Sequence, residues 1–422
     1  MRRRLIAWAA AGALLPLVGA GTAVASDSPG TQAIGQAAGS QQTASASGTS
    51  TQSHPSNQNI QVWILSPGNA GPVTQSNSSS ANASAGNTNG TSQTAAQHSP
   101  AGAGQDIGQA AGNSQSAAAT ATSTQDKPSN QNIQVHILSP GDTGAVTQSN
   151  SSNATASAGN TNGTTQGADQ ANGGDTGGRS CCSEAAAALQ SIGQEAHNDQ
   201  SAEADATSKQ TGAVNANTPV SVGRPGGSGA VTQSNSSGAT AAAGNTNGTT
   251  QHAAQSGDAH PSSPAVQAIG QIAANRQDAH AGATSTQVHP SNLNAPVAIG
   301  ADCGCDSRGD GGGAVTQSNS SGANASAGDT NGTTQGATQV ARAPWPLNRV
   351  VQAIGQAALN GQLAGAEADS SQEGPSNVNA PVGGGGGPVT QSNSSVARPA
   401  AGNTNGTSQD ALQAPGFLPA AP

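Results

Sequence analysis

At 422 residues the chain is long enough for two or three domains, yet only 8% of it is charged and 1% aromatic, with no Tyr. That composition excludes an ordinary apolar core and with it an ordinary globular enzyme, while 58 Gly and 23 Pro without a three-residue period exclude a collagen-like chain. A net charge of −9 argues against nucleic acid and anionic membrane as partners, and leaves a chain of Ala, Gly, Ser, Thr, Asn and Gln that is either disordered or assembling.

Residues 1–25 read as a signal peptide. Arg2, Arg3 and Arg4 are followed by the apolar stretch from Leu5 to Val18 and by an A-x-A cleavage site at Ala23-Val24-Ala25. Export to the extracellular space or cell surface is expected. No second apolar stretch of about 20 residues follows, so no membrane insertion of the mature chain is expected.

Beyond residue 25 the chain repeats five times, over 26–103, 104–188, 189–265, 266–350 and 351–414, with a tail at 415–422. Each repeat holds two units. The first opens on Gln-x-Ile-Gly-Gln and occupies 32–52, 105–125, 190–210, 267–287 and 352–372. The second opens on Val-Thr-Gln-Ser-Asn-Ser-Ser and occupies 73–97, 146–170, 231–255, 315–339 and 389–413. Gly and Pro gather in the connectors, as in loops between stacked elements.

Within a unit every second residue is constrained. In the second copy of the first unit these are Gln105, Ile107, Gln109, Ala111, Asn113 and Gln115, continuing as Ala117, Ala119 and Ala121. The other parity varies and takes the charges, among them Asp106, Glu195, Asp199, Lys209, Arg276, Asp278, Glu367, Arg398 and Asp410. Asp329 is the exception, a carboxylate where the other copies have Asn. A period of two is the β-strand period, with one face buried and one wet. A buried amide without a partner costs about 1–3 kcal/mol, but identical amides stacked strand on strand satisfy one another as a ladder. The expected ladder positions include Gln32, Gln36, Gln105, Gln109, Gln115, Asn150, Gln166, Gln190, Gln194, Gln267, Gln271, Gln352 and Gln356.

The expected fold is therefore all-β: stacked strand-turn-strand units forming a β-solenoid or cross-β array, with Gln, Asn and Ala inward and flexible Gly/Pro connectors. Because strands are commonly short, each unit is expected to bend, at Asn87-Thr88-Asn89-Gly90 in the second unit and near Gly112-Asn113 or Asn360-Gly361 in the first. The connector from Ile60 to Leu65, echoed from Ile133 to Leu138, is a further strand candidate.

Gln105, Gly108, Asn113 and the run Gln115 to Ala117 resemble the curlin repeat of bacterial curli fibres, although here Ile sits between the first Gln and its Gly. The resemblance touches about half of the mature chain, through the ten units. It implies inward Gln, Asn and Ala around a strand-turn-strand coil, and an amyloid-type fibre in a biofilm or surface coat.

Side chains that could carry chemistry are few. Cys181-Cys182 and Cys303-Gly304-Cys305 sit in connectors of an exported chain, so disulfides are expected over free thiols or a metal site; three connectivities are possible. Arg308-Gly309-Asp310 reads as a chance turn rather than an adhesion tripeptide, and Asp302, Asp306 and Asp310 do not have EF-hand spacing. The eight His, at 54, 98, 136, 197, 252, 260, 280 and 289, read as solvated surface without zinc-protease spacing. The sequons at Asn77 and Asn89 fall on the buried parity, which disfavours glycosylation. No catalytic residue and no cofactor is expected, and a small-molecule ligand is left open. The leading functional expectation is a secreted structural protein that associates with itself into surface or matrix fibres. The alternatives are a disordered extracellular spacer and a monomeric β-solenoid binding module of adhesin or ice-binding type, the latter suggested by outward pairs such as Thr122/Thr124 and Thr284/Thr286.

Overall fold

The computed structural model describes residues 31–100, 104–139, 141–173, 188–223, 227–258, 265–300, 312–344, 350–383 and 387–418. The expected signal peptide at 1–25, the four cysteines, Arg308-Gly309-Asp310, Asp302, Asp306 and His260 lie outside the described residues.

Each repeat is one layer of a parallel stack. The first layer holds β1 (Thr31–Ser53), β2 (Ser56–Ile64) and β3 (Val73–Pro100); the second holds β4 (Gly104–Asp126), β5 (Ser129–Ile137) and β6 (Val146–Gly173). In the third and fourth layers the middle strand is split. The third runs β7 (Ala188–Thr211), β8 (Val214–Asn217), β9 (Val220–Val222) and β10 (Val231–Asp258), and the fourth β11 (Ala265–Val288), β12 (Ser291–Asn294), β13 (Val297–Ile299) and β14 (Val315–Pro344). The fifth holds β15 (Val350–Glu373), β16 (Ser376–Asn379) and β17 (Val389–Leu418). The first units form one five-stranded sheet, β1-β4-β7-β11-β15, and the second units another, β3-β6-β10-β14-β17. The connector strands form a third sheet along one side, in which β2 pairs with β5, and β5 with both β8 and β9.

The all-β, solenoid-like expectation holds, and the turns lie between the units rather than inside them. The unit strands run 23 to 30 residues without a break. Asn87-Thr88-Asn89-Gly90 is extended, as are Gly112-Asn113 and Asn360-Gly361. The Asn-Gly hairpin turn needs left-handed backbone at its central residues. Here Asn87 and Asn89 are instead committed to bonds with Asn160 and Asn162 in the next layer, at 2.9 and 3.0 Å. The corner after each first unit is made by a residue of positive φ: His54 (51°), Lys127 (48°), Gly212 (58°), His289 (52°) and Gly374 (56°). Pro follows in four of these five corners, at Pro55, Pro128, Pro290 and Pro375. The expected connector strands are present as β2 and β5, beginning four residues earlier than Ile60 and Ile133.

Register is one-to-one throughout, for example Gln105↔Gln190 and Asn235↔Asn319. The two long sheets bury their constrained faces against each other. Their centre is a block of alanine, three per strand, such as Ala117, Ala119 and Ala121 facing Ala154, Ala156 and Ala158. Ile107, Ile192 and Ile269 pack on Ala168, Ala253 and Ala337 to one side of it. A methyl-sized side chain contributes little apolar area, under about 1 kcal/mol, so the core is extensive rather than deep.

One histidine departs from the surface expectation. His136 is 1% exposed, because it occupies the inward parity of β5. It stacks on Trp63 of the layer before, with ring centroids 4.4 Å apart, and burial holds its pKa below the usual histidine value.

Candidate assembly surface

The polar half of the core is a set of amide columns running along the stack. Gln109 donates to Gln36 Oε1, Gln194 to Gln109, Gln271 to Gln194 and Gln356 to Gln271, each at 2.8 Å. The same amide nitrogens donate across to carbonyls of the facing sheet, Gln109 to Gly167 at 3.0 Å and Gln194 to His252 at 3.1 Å. Both N–H groups of these glutamines thus have acceptors, and this double use fixes which end of the amide is nitrogen, whereas, among the described residues, Gln125, Gln210 and Gln287 donate only along their column.

The columns have a direction. Inward glutamine columns donate toward the N-terminal layer, as in Gln200 to Gln115 and Gln335 to Gln251; the outward Gln58 donates the other way, to Gln131. Asparagine columns donate the opposite way, as in Asn150 to Asn235, Asn162 to Asn247 and Asn132 to Asn217. Asparagine also ties the third sheet to the second, with Asn130 donating to Asn150 at 3.1 Å and to Asn215 at 2.9 Å.

Of the residues expected to form ladders, Gln105, Gln109, Gln115, Asn150, Gln166, Gln190, Gln194, Gln267 and Gln271 are buried in the inner layers. Gln36, Gln352 and Gln356 are half-buried, because they lie in the first and last layers, and Gln32 is exposed there. Sequence reasoning did not single out the connector column Asn57, Asn130, Asn215, Asn292 and Asn377, although the recurring Ser-Asn of 56–57, 129–130, 291–292 and 376–377 carries it. Asn77 and Asn89 are buried and bonded through their amide nitrogens, the atoms a glycan would need.

The directionality makes the two ends of the stack chemically different. In the first layer Gln36 and Gln42 each use one N–H on the facing strand and have a second to give. Among the described residues nothing donates to Oδ1 of Asn59 or Asn89 in that layer. In the fifth layer the situation is reversed. Gln356 and Gln362 donate inward at 2.8 and 2.9 Å while, among the described residues, their Oε1 atoms accept nothing and the amide nitrogens of Asn379, Asn393 and Asn405 have no acceptor. One end offers Gln donors and Asn acceptors; the other offers Gln acceptors and Asn donors, in the same columns.

The backbone edges carry the same polarity. Inward-parity residues donate their N–H toward the C-terminal layer: Val146 to Ala230, Val231 to Ala314 and Val315 to Pro388, at 2.8, 2.8 and 2.9 Å. On β17 the inward-parity N–H groups therefore face the open end. Pro399 stands on that parity, paired with Ala325, and has no N–H to give. It removes one donor from the edge that a further strand would join, beside the charge of Arg398.

No protein-family model, no curated protein and no solved structure matches this chain.

Proposed function

We propose that this chain is a secreted structural protein that stacks end on end with further copies of itself into extracellular surface or matrix fibres, as the curlin resemblance implies. The observation that carries this reading is the complementarity of the two end layers. A fifth layer meeting the first layer of another copy continues the columns that start at Gln36, Gln42, Asn59 and Asn89 with the same donor, acceptor and register that join layers inside the chain, while Ser40 takes the asparagine position at the foot of the column that ends in Asn360. Open strand edges of this kind recruit strands unless they are blocked, and five layers that already repeat supply the template.

The test is a time course on freshly desalted mature chain, followed by far-UV circular dichroism and sedimentation. A β spectrum at once, followed by concentration-dependent pelleting of fibres whose diffraction shows a repeat of about 4.8 Å along the axis, is the expected result. A β spectrum with no association at any concentration overturns it. The blocked edge position gives a graded version. Pro399→Ala restores one backbone bond per junction, worth about 1 kcal/mol, and is expected to lower the critical concentration roughly fivefold.

A second reading has its own support. On the wet face of the second sheet, where residues are free to vary, Thr88, Thr161, Thr246, Thr330 and Thr404 are identical and exposed in all five layers. They run between two columns of glycine, and at the column of Gly90, Gly163, Gly248, Gly332 and Gly406 an added Cβ would meet nothing within 4 Å. Neither the threonines nor this second glycine column is required by packing inside the chain, whereas at the first column a Cβ on Gly244 or Gly328 would stand 3.2 Å from a backbone oxygen of the next strand. That favours a face used for binding, in the manner of an adhesin or ice-binding module, and is the reading that takes over if the stack stays monomeric.

A further inference from the structure

One inward column is chemically interrupted. Asn87, Asn160 and Asn245 stack with their amide nitrogens directed up the stack, Asn87 to Asn160 at 2.9 Å and Asn160 to Asn245 at 2.8 Å. Each nitrogen also donates to a carbonyl of the facing sheet, at Ser116, Ser201 and Asp278 in turn. The fourth position is Asp329, 1% exposed, and the fifth is Asn403. Asp329 Oδ1 accepts from Asn245 at 2.9 Å, as an asparagine oxygen does. Its Oδ2 stands where the amide nitrogen would be, buried and without a hydrogen-bond partner.

The consequence falls on the junction between layers four and five. Five other asparagine columns cross it intact: Asn275 to Asn360, Asn292 to Asn377, Asn294 to Asn379, Asn319 to Asn393 and Asn331 to Asn405, at 2.7 to 2.9 Å. In this column an ionised Asp329 has only acceptors to offer, and the next position up, Asn403, exposed in the last layer, has an Oδ1 left to water instead of a ladder donor.

We propose that Asp329 is a proton-operated rung: with its carboxyl protonated, Oδ2–H donates as the missing amide would and the fifth layer is held, whereas ionisation sets acceptor against acceptor and loosens that layer. The proton comes from solvent and returns to it. Burial raises the Asp329 pKa above its ordinary 3.8, the Asn245 amide pulls it back in part, Asp278 on the facing β11 pushes it up again, and the backbones of Asn245 and of Leu363 on β15 pull it down. Arg276 and His280 flank Asp278 on the outward parity of β11. On β15 the nearest carboxylates are Glu367 and Asp369, both outward like Asp278; β10 carries His252, and β17 carries Arg398 and Asp410.

The sign follows from the raised value. Below 3.8 the folded and opened forms both hold the proton, and ionisation costs the layer nothing. As pH rises from there to the raised value the cost accumulates, and above that value it is fully present. His136 works in the opposite sense: its depressed pKa withdraws stability as pH falls through 6.5, but it acts on the junction of layers one and two. The fifth layer presents Gln356, Asn393 and Asn405 to an incoming copy, so mild acid is expected to favour association; that last step alone rests on the end-on reading.

Region-resolved hydrogen exchange on the dilute, unassociated full chain separates the two ideas. In wild type, protection of β17 around Asn403, corrected for intrinsic rates, is expected to fall by up to tenfold per pH unit above 3.8 and then level off. Asp329→Asn installs the residue of the other four layers. It is expected to fold, to lose this dependence and to hold at neutral pH the protection that wild type reaches only in acid. A flat wild-type profile, or a slope that persists in Asp329→Asn, overturns the proposal and leaves the end-on reading untouched. A chain that never associates but shows the slope overturns the end-on reading alone.

Discussion

Replacing Gln109, Gln194, Gln271 and Gln356 together with Lys is expected to abolish the β spectrum and all assembly. These four side chains form one unbroken column, each bonded to the next at 2.8 Å. Lysines there would place ammonium groups about 4.8 Å apart. At an effective dielectric constant of about 20 each adjacent pair repels by roughly 3.5 kcal/mol. Three such pairs approach the whole stability of a typical domain, about 5–15 kcal/mol, before any burial cost is counted. Partial escape of the lysines toward the open ends relieves only the outermost one. The control shares the composition but not the parity: Ala110, Glu195, Ile272 and Ala357 are register partners one residue further on, with their side chains outward. Four lysines there stand in water, where exposed charges interact weakly, and the spectrum should survive. Equal damage from both sets would sink the claim that one face is buried in an amide ladder.

The alternation that makes this test possible was legible in the sequence because a ladder demands identical residues at identical register. Five repeats display that demand as a period of two. The oddity of Asp329 was legible for the same reason, as the one carboxylate on the constrained parity. The bends were not. Asn87-Thr88-Asn89-Gly90 is a strong local turn signal, but local preference is worth about 1 kcal/mol, and each Asn here gains ladder bonds in every layer. The corners that do form, at His54, Lys127 and His289, use residues with no turn reputation; the signal that could have found them is the Pro that follows each. His136 was misjudged because its connector was read as a candidate strand without extending the parity into it. Counting by twos from Asn130 through Asn132 and Gln134 reaches His136 on the inward face. The polarity of the amide columns was out of reach of any pattern. It depends on side-chain length, since glutamine and asparagine meet the facing carbonyls with their amides turned opposite ways.

That polarity makes head-to-tail stacking separable from every symmetric alternative by a charge swap at the ends. Gln36→Glu with Gln42→Glu keeps acceptors for the donations of Gln109 and Gln115, so the first two layers stay joined in these columns. It replaces the outward donors by carboxylates that oppose Gln356 and Gln362 of the next copy, and it also gives up the bonds to the Thr94 and Thr88 carbonyls within the first layer. Gln356→Lys with Gln362→Lys keeps donors for Gln271 and Gln277 and turns ammonium groups toward an incoming Gln36 and Gln42. Each pair alone is expected to raise the critical concentration at least about thirtyfold, since two buried mismatches at a junction cost about 1–3 kcal/mol each. A chain carrying all four substitutions brings carboxylate to ammonium in the same columns and should assemble again, more weakly at high salt. Misfolding cannot imitate that rescue, because adding lesions would only compound it. If the ends met like to like, the first pair would still associate through its untouched fifth layers, giving dimers, and the four-substitution chain would be worse than either pair. Wild-type fibres together with failed rescue would therefore reject the polarity while keeping self-association. The ladder bonds measured inside one chain set what a junction between two chains has to reproduce.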